Sequence, residues 1–355
     1  MRQRWYYLIA GVSLVLIVLW LHIALIINGE GGIFALVETL MTANLFWMLP
    51  AFGLFAIAYI LRAVRWWFLL RPFNTKDNPL QLFPMLVGGI FLTYVIPLRA
   101  GDIATPYWLR EKTGTRFSAG LSSILLARVL DFASLVLIIV FSAFMIFGAV
   151  TGQAFSSLLG GIVLVIAFVA FFILIRNERF VSWFSRIVGR LFKPSKRLKD
   201  EVPTFVENFA ADMRTDISSW NSGIAFLISV PLWIIETMKL AFLASAFSEV
   251  LTVLESIFVA SISYTAGHLL AILIPAGIGI FFFQFFALQS YLPGFGITHA
   301  AGIALLDGII YIIGLSILGV PSLATMGRGY QSLQNEKEPQ YIETQGPEKV
   351  DRPKG

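Results

Sequence analysis

Long apolar segments are the feature of this chain that most limits what it can fold into. A helix needs about 20 apolar residues to cross the roughly 30 Å hydrocarbon core of a bilayer. Segments of this kind recur along the sequence, at 5–27, 44–70, 118–149, 157–176, 221–247 and 299–326. They lack the alternation of a barrel strand, and an open sheet cannot satisfy its edges in lipid. The sequence therefore predicts an all-α polytopic membrane protein with about six full spans.

The composition argues against most soluble enzyme classes. Only 13% of the 355 residues are charged, against about 25% in a typical soluble domain. There is no cysteine, which excludes disulfides and thiol chemistry. The three histidines are scattered, which argues against a metal site, and no GxxxxGK[ST] motif for ATP is present. We therefore predict no catalytic residue, cofactor or metal, and we expect that the protein is not an enzyme.

Two pairs of shorter apolar segments are interrupted by glycine and proline. The first pair is 80–98 with 103–112, and the second is 256–274 with 278–292. Proline and glycine both interrupt helices. We predict that each pair forms a re-entrant hairpin lining an interior cavity, because irregular backbone at membrane depth needs cover from protein or water. The break residues are Pro97, Gly101, Pro275, Gly277 and Gly279.

Lysine and arginine predict the orientation, because they are enriched in cytoplasmic loops. Basic residues precede the first span, follow span 44–70 and are dense in 176–214. The loops 28–43 and 248–255 contain acidic residues but no lysine or arginine. Every loop obeys the rule if both termini are cytoplasmic and the two hairpins enter from opposite faces, the first from inside. The basic cluster then reports orientation, and no nucleic-acid partner is expected.

The two hairpins also suggest an internal repeat. An offset of 178 residues superposes Pro97 on Pro275 and Gly101 on Gly279, and it brings Arg62 within one position of Lys239. With the predicted directions, the halves at about 44–149 and 221–326 form an inverted repeat, an architecture that many secondary transporters use. The alternative is that helix breaks rich in glycine and proline resemble one another by chance.

Charged residues inside the apolar segments are the candidate functional residues. A charge at bilayer depth costs at least about 2.5–3.5 kcal/mol, so it should face a cavity or a partner. Arg128 with Asp131, and Glu236 with Lys239, are three residues apart and share a helix face. Each pair could hold a charged headgroup or could simply neutralise itself. The candidates for ion coupling or for lining the cavity are Glu236, Lys239, His268 and Asp307.

Arg62 and Arg65 lie beside Trp66 and Trp67 at the predicted inner interface. They could anchor the helix in the headgroup region. Because they are three residues apart, they could instead present one anion-binding face, where the guanidinium fork suits phosphate. The predicted headgroup-binding residues are Arg62, Arg65, Arg99, Asp102, Arg128 and Asp131.

Four phrases together resemble the flippase-like family named for the membrane region of lysylphosphatidylglycerol synthase, a UPF-type family. They are LRAVRWWFLL, IPLRAGDIATPYWLREKTG, LARVLDFASL and IPAGIGIF, beginning at residues 61, 96, 126 and 274. The resemblance implies a polytopic domain that moves charged or glycosylated lipids between leaflets, or that works beside lipid-linked glycan assembly. It also implies roles for the motif residues Arg99, Gly101, Asp102, Arg128 and Asp131. The chain departs from the pattern at Ala127, where the family often has glutamate, and at Phe281 and Phe282, where it often has an Arg–Glu pair.

The expected organisation is one membrane domain, 1–326, with a basic amphipathic connector at 177–220 and a disordered cytoplasmic tail at 327–355. The leading hypothesis is a translocator of an anionic phospholipid or a polyprenyl-linked sugar in the cell membrane. One alternative is a non-transporting partner of a glycosyltransferase or lipid-synthesis enzyme. The other is a membrane lipid transferase that uses Asp102, Asp131 and a metal.

Overall fold

The computed structural model describes residues 32–73, 77–147, 177–191, 196–271, 273–292 and 294–337. The predicted spans 5–27 and 157–176, and the part of the predicted tail after residue 337, lie outside these ranges. Residues 327–337, expected to be disordered, are helical. The described ranges are helical and contain no strand, which confirms the all-α class. The helices are α1 Gly32–Thr42, α2 Met48–Leu70, α3 Pro79–Val95, α4 Ala100–Thr113, α5 Phe117–Phe147, α6 Glu178–Leu191, α7 Lys196–Ser218, α8 Trp220–Ser245, α9 Val253–Leu270, α10 Ala276–Tyr291 and α11 Ile297–Lys337.

Within the described ranges, five helical segments are long and apolar enough to cross a membrane. They are Leu45–Phe73, Phe117–Ile146, Trp220–Ser245, Val253–Leu270 and Ile297–Ser322. Their outward faces carry exposed apolar side chains such as Phe141, Leu227 and Ile317. Exposed apolar surface on this scale is typical of contact with lipid. The multi-pass membrane character is therefore confirmed, whereas the segment Val253–Leu270, assigned above to a hairpin, is itself long enough to span.

Each predicted pair of segments forms two helices that pack on each other, named below the first and second hairpins. In each, the first arm begins with a capping box, in which a side chain and a backbone N–H are satisfied reciprocally. Asn78 pairs with Gln81 at the start of α3, and Thr252 pairs with Glu255 at the start of α9. The chain then turns near Pro97 into α4 and at Pro275 into α10. Helices α3 and α4 pack on each other, as do α9 and α10.

Glycines allow the two arms of each hairpin to cross at close range. A Cβ atom on Gly101 would overlap the carbonyl oxygen of Gly89, so backbone lies directly against backbone. In the second hairpin, a Cβ atom on Gly267 would lie 2.7 Å from the backbone nitrogen of Ile280, and one on Gly279 would lie 3.2 Å from the Cα of Gly267. The glycine pairs that the 178-residue offset relates therefore perform the same packing task in both hairpins.

The packing of the two halves is reciprocal. Helix α2 packs along α8, α3 of the first half packs on α11 of the second, and α9 of the second packs on α5 of the first. Trp47 stacks on Phe242, with ring centroids 6.1 Å apart, while Arg65 near the other end of α2 reaches Ser229. Helices α2 and α8 are therefore antiparallel. Opposite directions for these two helices, which the 178-residue offset relates, are what the predicted inverted repeat requires.

The connector between the halves folds as the amphipathic helix α6 and the longer α7, which docks on α5. Arg116 and Ser118 both donate hydrogen bonds of 2.6 Å to the carboxylate of Asp212. One turn further, Ser122 donates to Asp216 at 2.8 Å. Asp216 is fully buried, and its other carboxylate oxygen has no hydrogen-bond partner. This carboxyl group therefore fits the interface best when it is protonated.

The docking of α7 should weaken as the pH rises, because of Asp216. Burial raises the pKa of this carboxyl group to about 8. The folded state then retains a proton that the unfolded chain loses near pH 4, so stability falls between about pH 4 and pH 8. Asp216→Asn should remove this fall, which we expect to be a few kcal/mol. Melting temperatures measured across this range test the prediction, with Glu207→Gln on the exposed face of α7 as the control. An Asp216→Asn variant with the wild-type pH profile would contradict it.

Candidate functional site: a buried charged network

A continuous network of charged side chains lies where α2, α5 and α8 meet the tips of the two hairpins. It has two parts. The arginine arm runs through Arg99, Asp102, Arg128, Asp131 and Arg65. The lysine arm runs through Arg62, Glu236, Lys239 and Asp307. The structure therefore brings together every headgroup-binding and coupling residue that the sequence predicted, including His268, which lies beside the junction of the arms.

Arg128 is the centre of the arginine arm. Its Nη2 lies 2.7 Å from Asp102 Oδ1, and its Nη1 lies 3.4 Å from Asp131 Oδ2. Asp131 also pairs with Arg65, whose Nη1 donates to Ser229 Oγ at 3.0 Å. At the other end, Arg99 Nε lies 2.9 Å from Asp102. The arm thus alternates three arginines with two aspartates, and it carries one positive charge in excess.

Lys239 is the centre of the lysine arm. Its ammonium nitrogen lies 3.0 Å from Glu236 Oε1 and 2.9 Å from Asp307 Oδ1. Arg62 reaches Glu236 at the longer distance of 3.5 Å. Two tyrosines satisfy the carboxylates: Tyr311 donates to Glu236, and Tyr264 donates to Asp307 at 2.9 Å. This arm is charge-balanced and closed to solvent.

Trp233 connects the two arms. Its indole N–H donates to Asp131 Oδ1 at 2.8 Å, and its ring centroid lies 4.5 Å from the Arg62 guanidinium carbon. The His268 ring meets the same indole edge-on. The His268 carbonyl oxygen accepts a hydrogen bond from Arg99 at 3.4 Å. The tip of the first hairpin is therefore tied directly to the second.

A protein-family model described as the lysylphosphatidylglycerol synthase TM region matches residues 8–319, which is most of the chain. The chain belongs to this family. Two relatives are UPF0104 membrane proteins. One, from Methanothermobacter thermautotrophicus, is 22% identical over 330 residues, covering 89% of this chain and 95% of the relative. The other, from Pyrococcus horikoshii, is 25% identical over 299 residues, covering 78% and 84%. No solved structure matches.

In this family member, solvent reaches the network at two of its arginines. The side chains of Arg99 and Arg128 retain 16% and 14% exposure, whereas Arg62, Glu236, Lys239 and Asp307 retain 5% or less. A cavity of about 10 Å³, the space of one water molecule, is lined by Arg62, Arg65, Trp66, Leu86, Ile90, Ile124, Ala127 and Arg128. One wall of this cavity is therefore cationic and the other is apolar.

In the described part of the network, three buried guanidinium sites lack a hydrogen-bond partner, besides Arg99 Nε, which contacts Asp102 in an ion pair. They are Nε of Arg62, Nε of Arg65 and Nη2 of Arg99. An unsatisfied buried donor costs about 1–3 kcal/mol, and more on a charged group. Such donors are suited to an additional anion, because arginine binds phosphate through several parallel N–H groups. The network can therefore accept more negative charge than its own carboxylates supply.

The interpretation of Arg62 and Arg65 as interface anchors is wrong. Their side chains are only about 5% exposed, and both form ion pairs in the network. The adjacent Trp66 is also buried and donates to Ser123 on α5. The two arginines lie together on the inward face of α2. Their position agrees with the alternative, in which they share one polar face of the helix.

The hairpin tips hold unusual backbone. Leu98 and Arg99 have positive φ angles of 64° and 51°, a left-handed conformation that costs a residue with a side chain of order 1 kcal/mol or more. This bend directs Arg99, the N-cap of α4, towards the second hairpin. Reciprocally, Tyr94 of the first hairpin packs on Gly277 beside the Pro275 bend. Surrounding contacts therefore maintain a strained tip beside the charged network.

Sequence reasoning missed the aromatic lining of the site. Trp233 and Tyr311 lie three and four residues from Glu236 and Asp307, and Tyr264 lies four residues before His268. These spacings place each ring on the same helix face as a charged candidate. Helical spacing from the charged residues would have found all three.

Proposed function

We propose that this protein is a lipid translocator without an ATPase of its own, and that it binds a lipid phosphate at the arginine arm. The observation that supports this most strongly is the cavity at the arginine arm. Arg62, Arg65 and Arg128 line it against an apolar wall, and two of these arginines carry unpaired N–H donors. Phosphate is common to anionic phospholipids and polyprenyl-linked sugars, so the proposal concerns this shared chemistry.

When the lipid binds, its phosphate replaces carboxylates as the partner of the arginines. The headgroup phosphate takes up the free donors of Arg65 and Arg99 and competes with Asp102 for Arg128. The lipid tails remain beside Leu86, Ile90 and Ile124, which form the apolar wall between α3 and α5. A cavity that holds one water cannot hold a headgroup, so entry requires the hairpin tips to separate.

In this proposal, translocation results from the inverted relation between the two halves of the chain. In this proposal the two hairpins enter the membrane from opposite faces, and both termini are cytoplasmic. An inverted repeat can exchange the conformations of its halves, which opens the same central site to each side in turn. The tip contacts between Arg99 and His268, and between Tyr94 and Gly277, are the contacts that break and re-form.

Purified protein in liposomes should move labelled phosphatidylglycerol between leaflets at least about tenfold faster than protein-free liposomes, and faster than it moves phosphatidylcholine, because only a net anionic headgroup complements the excess positive charge. The measurement is the fraction of headgroup fluorescence that an impermeant quencher removes over time. A labelled polyprenyl phosphate sugar in a parallel experiment distinguishes the two lipid classes.

Folded protein that moves none of these lipids would contradict translocation. If such protein retained lipid and co-purified with a glycosyltransferase or lipid-synthesis enzyme, the partner hypothesis would replace it. If purified protein altered the lipid covalently, the transferase hypothesis would replace it.

A further inference from the structure

We propose that Lys239 and Asp307 form a proton-binding site that couples lipid movement to a proton gradient, an inference that rests on the proposed function. Headgroup binding at the arginine arm uses Arg62 of the lysine arm but neither Lys239 nor Asp307. Both side chains are buried, and their charged atoms lie 2.9 Å apart. A buried, charged and titratable pair is expensive in a membrane and typically marks a functional site.

The ionisable groups around this pair come from five helices. Arg62 and Tyr59 belong to α2, Tyr94 to α3, Glu236 to α8 and Tyr264 to α9, while Tyr311 shares α11 with Asp307. Within this group, Arg62 and Lys239 balance Glu236 and Asp307. Because these side chains are buried, the arm can gain or lose one charge only if another charge moves nearby.

The two cations of the lysine arm, Arg62 and Lys239, come from different halves of the predicted repeat and differ in their ability to exchange protons. Arg62 and Lys239 occupy nearly equivalent positions in the two halves, and both contact Glu236. Arginine remains protonated in proteins, whereas lysine and carboxyl groups exchange protons when buried. The first half therefore contributes a fixed charge, and the second contributes a site that can titrate.

The coupling step conserves charge. Arg62 has the longest ion-pair contact of the arm, 3.5 Å, and it also lines the cavity next to Arg65 and Arg128. A phosphate in the cavity draws Arg62 from Glu236, leaving one cation for two carboxylates. When the hairpin tips separate, a hydronium ion transfers its proton to a carboxylate lone pair of Asp307: one O–H bond of hydronium breaks, one O–H bond forms on Asp307, and water leaves. The ion pair with Lys239 then ends. One anionic headgroup and one proton therefore move together, without net charge.

The experiment measures labelled phosphatidylglycerol movement in liposomes, with and without an imposed pH gradient. For wild-type protein we expect movement out of the acidic side to be about five- to tenfold faster than at equal pH. Asp307→Asn should still move and bind the lipid but should lose the response to the gradient. Glu249→Gln changes a carboxylate that pairs with His299 outside the network, and it should respond like wild type.

If Asp307→Asn does not fold, Lys239→Gln with Asp307→Asn removes both charges together and is used in its place. A wild-type rate that is the same with and without the gradient would overturn the coupling and leave translocation intact. The same holds if the neutralised variant keeps the full gradient response. Wild-type protein that moves no lipid under either condition would overturn both the coupling and the proposed function.

Discussion

Arg128→Gln should abolish lipid movement, reducing the rate at least about tenfold, and should destabilise the protein by about 3–5 kcal/mol. Arg128 is the principal partner of Asp102, at 2.7 Å, and the second cation on Asp131. Its loss removes the excess positive charge of the arm and leaves each buried carboxylate with one cation, Arg99 on Asp102 and Arg65 on Asp131. It also removes the cation of the arginine arm that combines partial exposure with a position on the cavity wall. The rate is measured in liposomes, and the stability by thermal unfolding in detergent.

The matched control separates folding from function. In Arg128→Gln combined with Asp102→Asn, one positive and one negative charge disappear together, and the hydrogen-bonding shapes are largely kept. Removing both partners of a buried pair costs far less than removing one, so the melting temperature should recover most of the loss. Lipid movement should stay lost, because the phosphate-binding fork is still missing. A double variant that moves phosphatidylglycerol at the wild-type rate would contradict the assigned role of Arg128.

Gly101→Ala should prevent the first hairpin from closing, and we expect little folded protein. The added Cβ atom would overlap the Gly89 carbonyl oxygen, which belongs to backbone and cannot rotate away. Overpacking at a close crossing costs about 1–3 kcal/mol, and more where the backbone has to move. Gly267→Ala should be similarly damaging, because its Cβ atom would lie 2.7 Å from the Ile280 nitrogen.

The control for the glycine variants is Gly53→Ala on the exposed face of α2. Nothing lies within 4 Å of a Cβ atom built there. Alanine is favoured over glycine inside a helix by about 1 kcal/mol, so this variant should be neutral or slightly stabilising. Size-exclusion profiles and melting temperatures compare the three variants. A Gly101→Ala protein that folds and melts like Gly53→Ala would contradict the close crossing of the hairpin arms.

Sequence spacing predicted which charged residues share a helix but not which of them are partners. The pairs Arg128–Asp131 and Glu236–Lys239 both form, as their spacing predicts. The shorter contacts are long-range ones, from Arg128 to Asp102 and from Lys239 to Asp307. These depend on how hairpins pack against distant helices, which no local pattern encodes.

The correspondence between the two hairpins was recognisable in the sequence because glycine has the same steric role in both. Gly89, Gly101, Gly267 and Gly279 recur at one offset, and the structure places them at the two crossings. The burial of Arg62 and Arg65 was harder to predict. Arginine beside tryptophan is common at membrane interfaces, and only the packing of α2 against α5 and α8 distinguishes the inward face from the lipid-facing one.

The proposed translocation and coupling both depend on the predicted inverted arrangement of the hairpins, and cysteine accessibility in intact cells tests this arrangement most directly. The chain has no cysteine, so Lys112→Cys and Ser290→Cys each introduce a single thiol. Both positions are exposed and lie at the bases of the first and second hairpins. An impermeant thiol reagent added outside should label the cysteine at position 290 and leave the one at 112 protected until the cells are opened. Labelling of both, or of neither, in intact cells would place the two bases on one side of the membrane and contradict the inverted repeat.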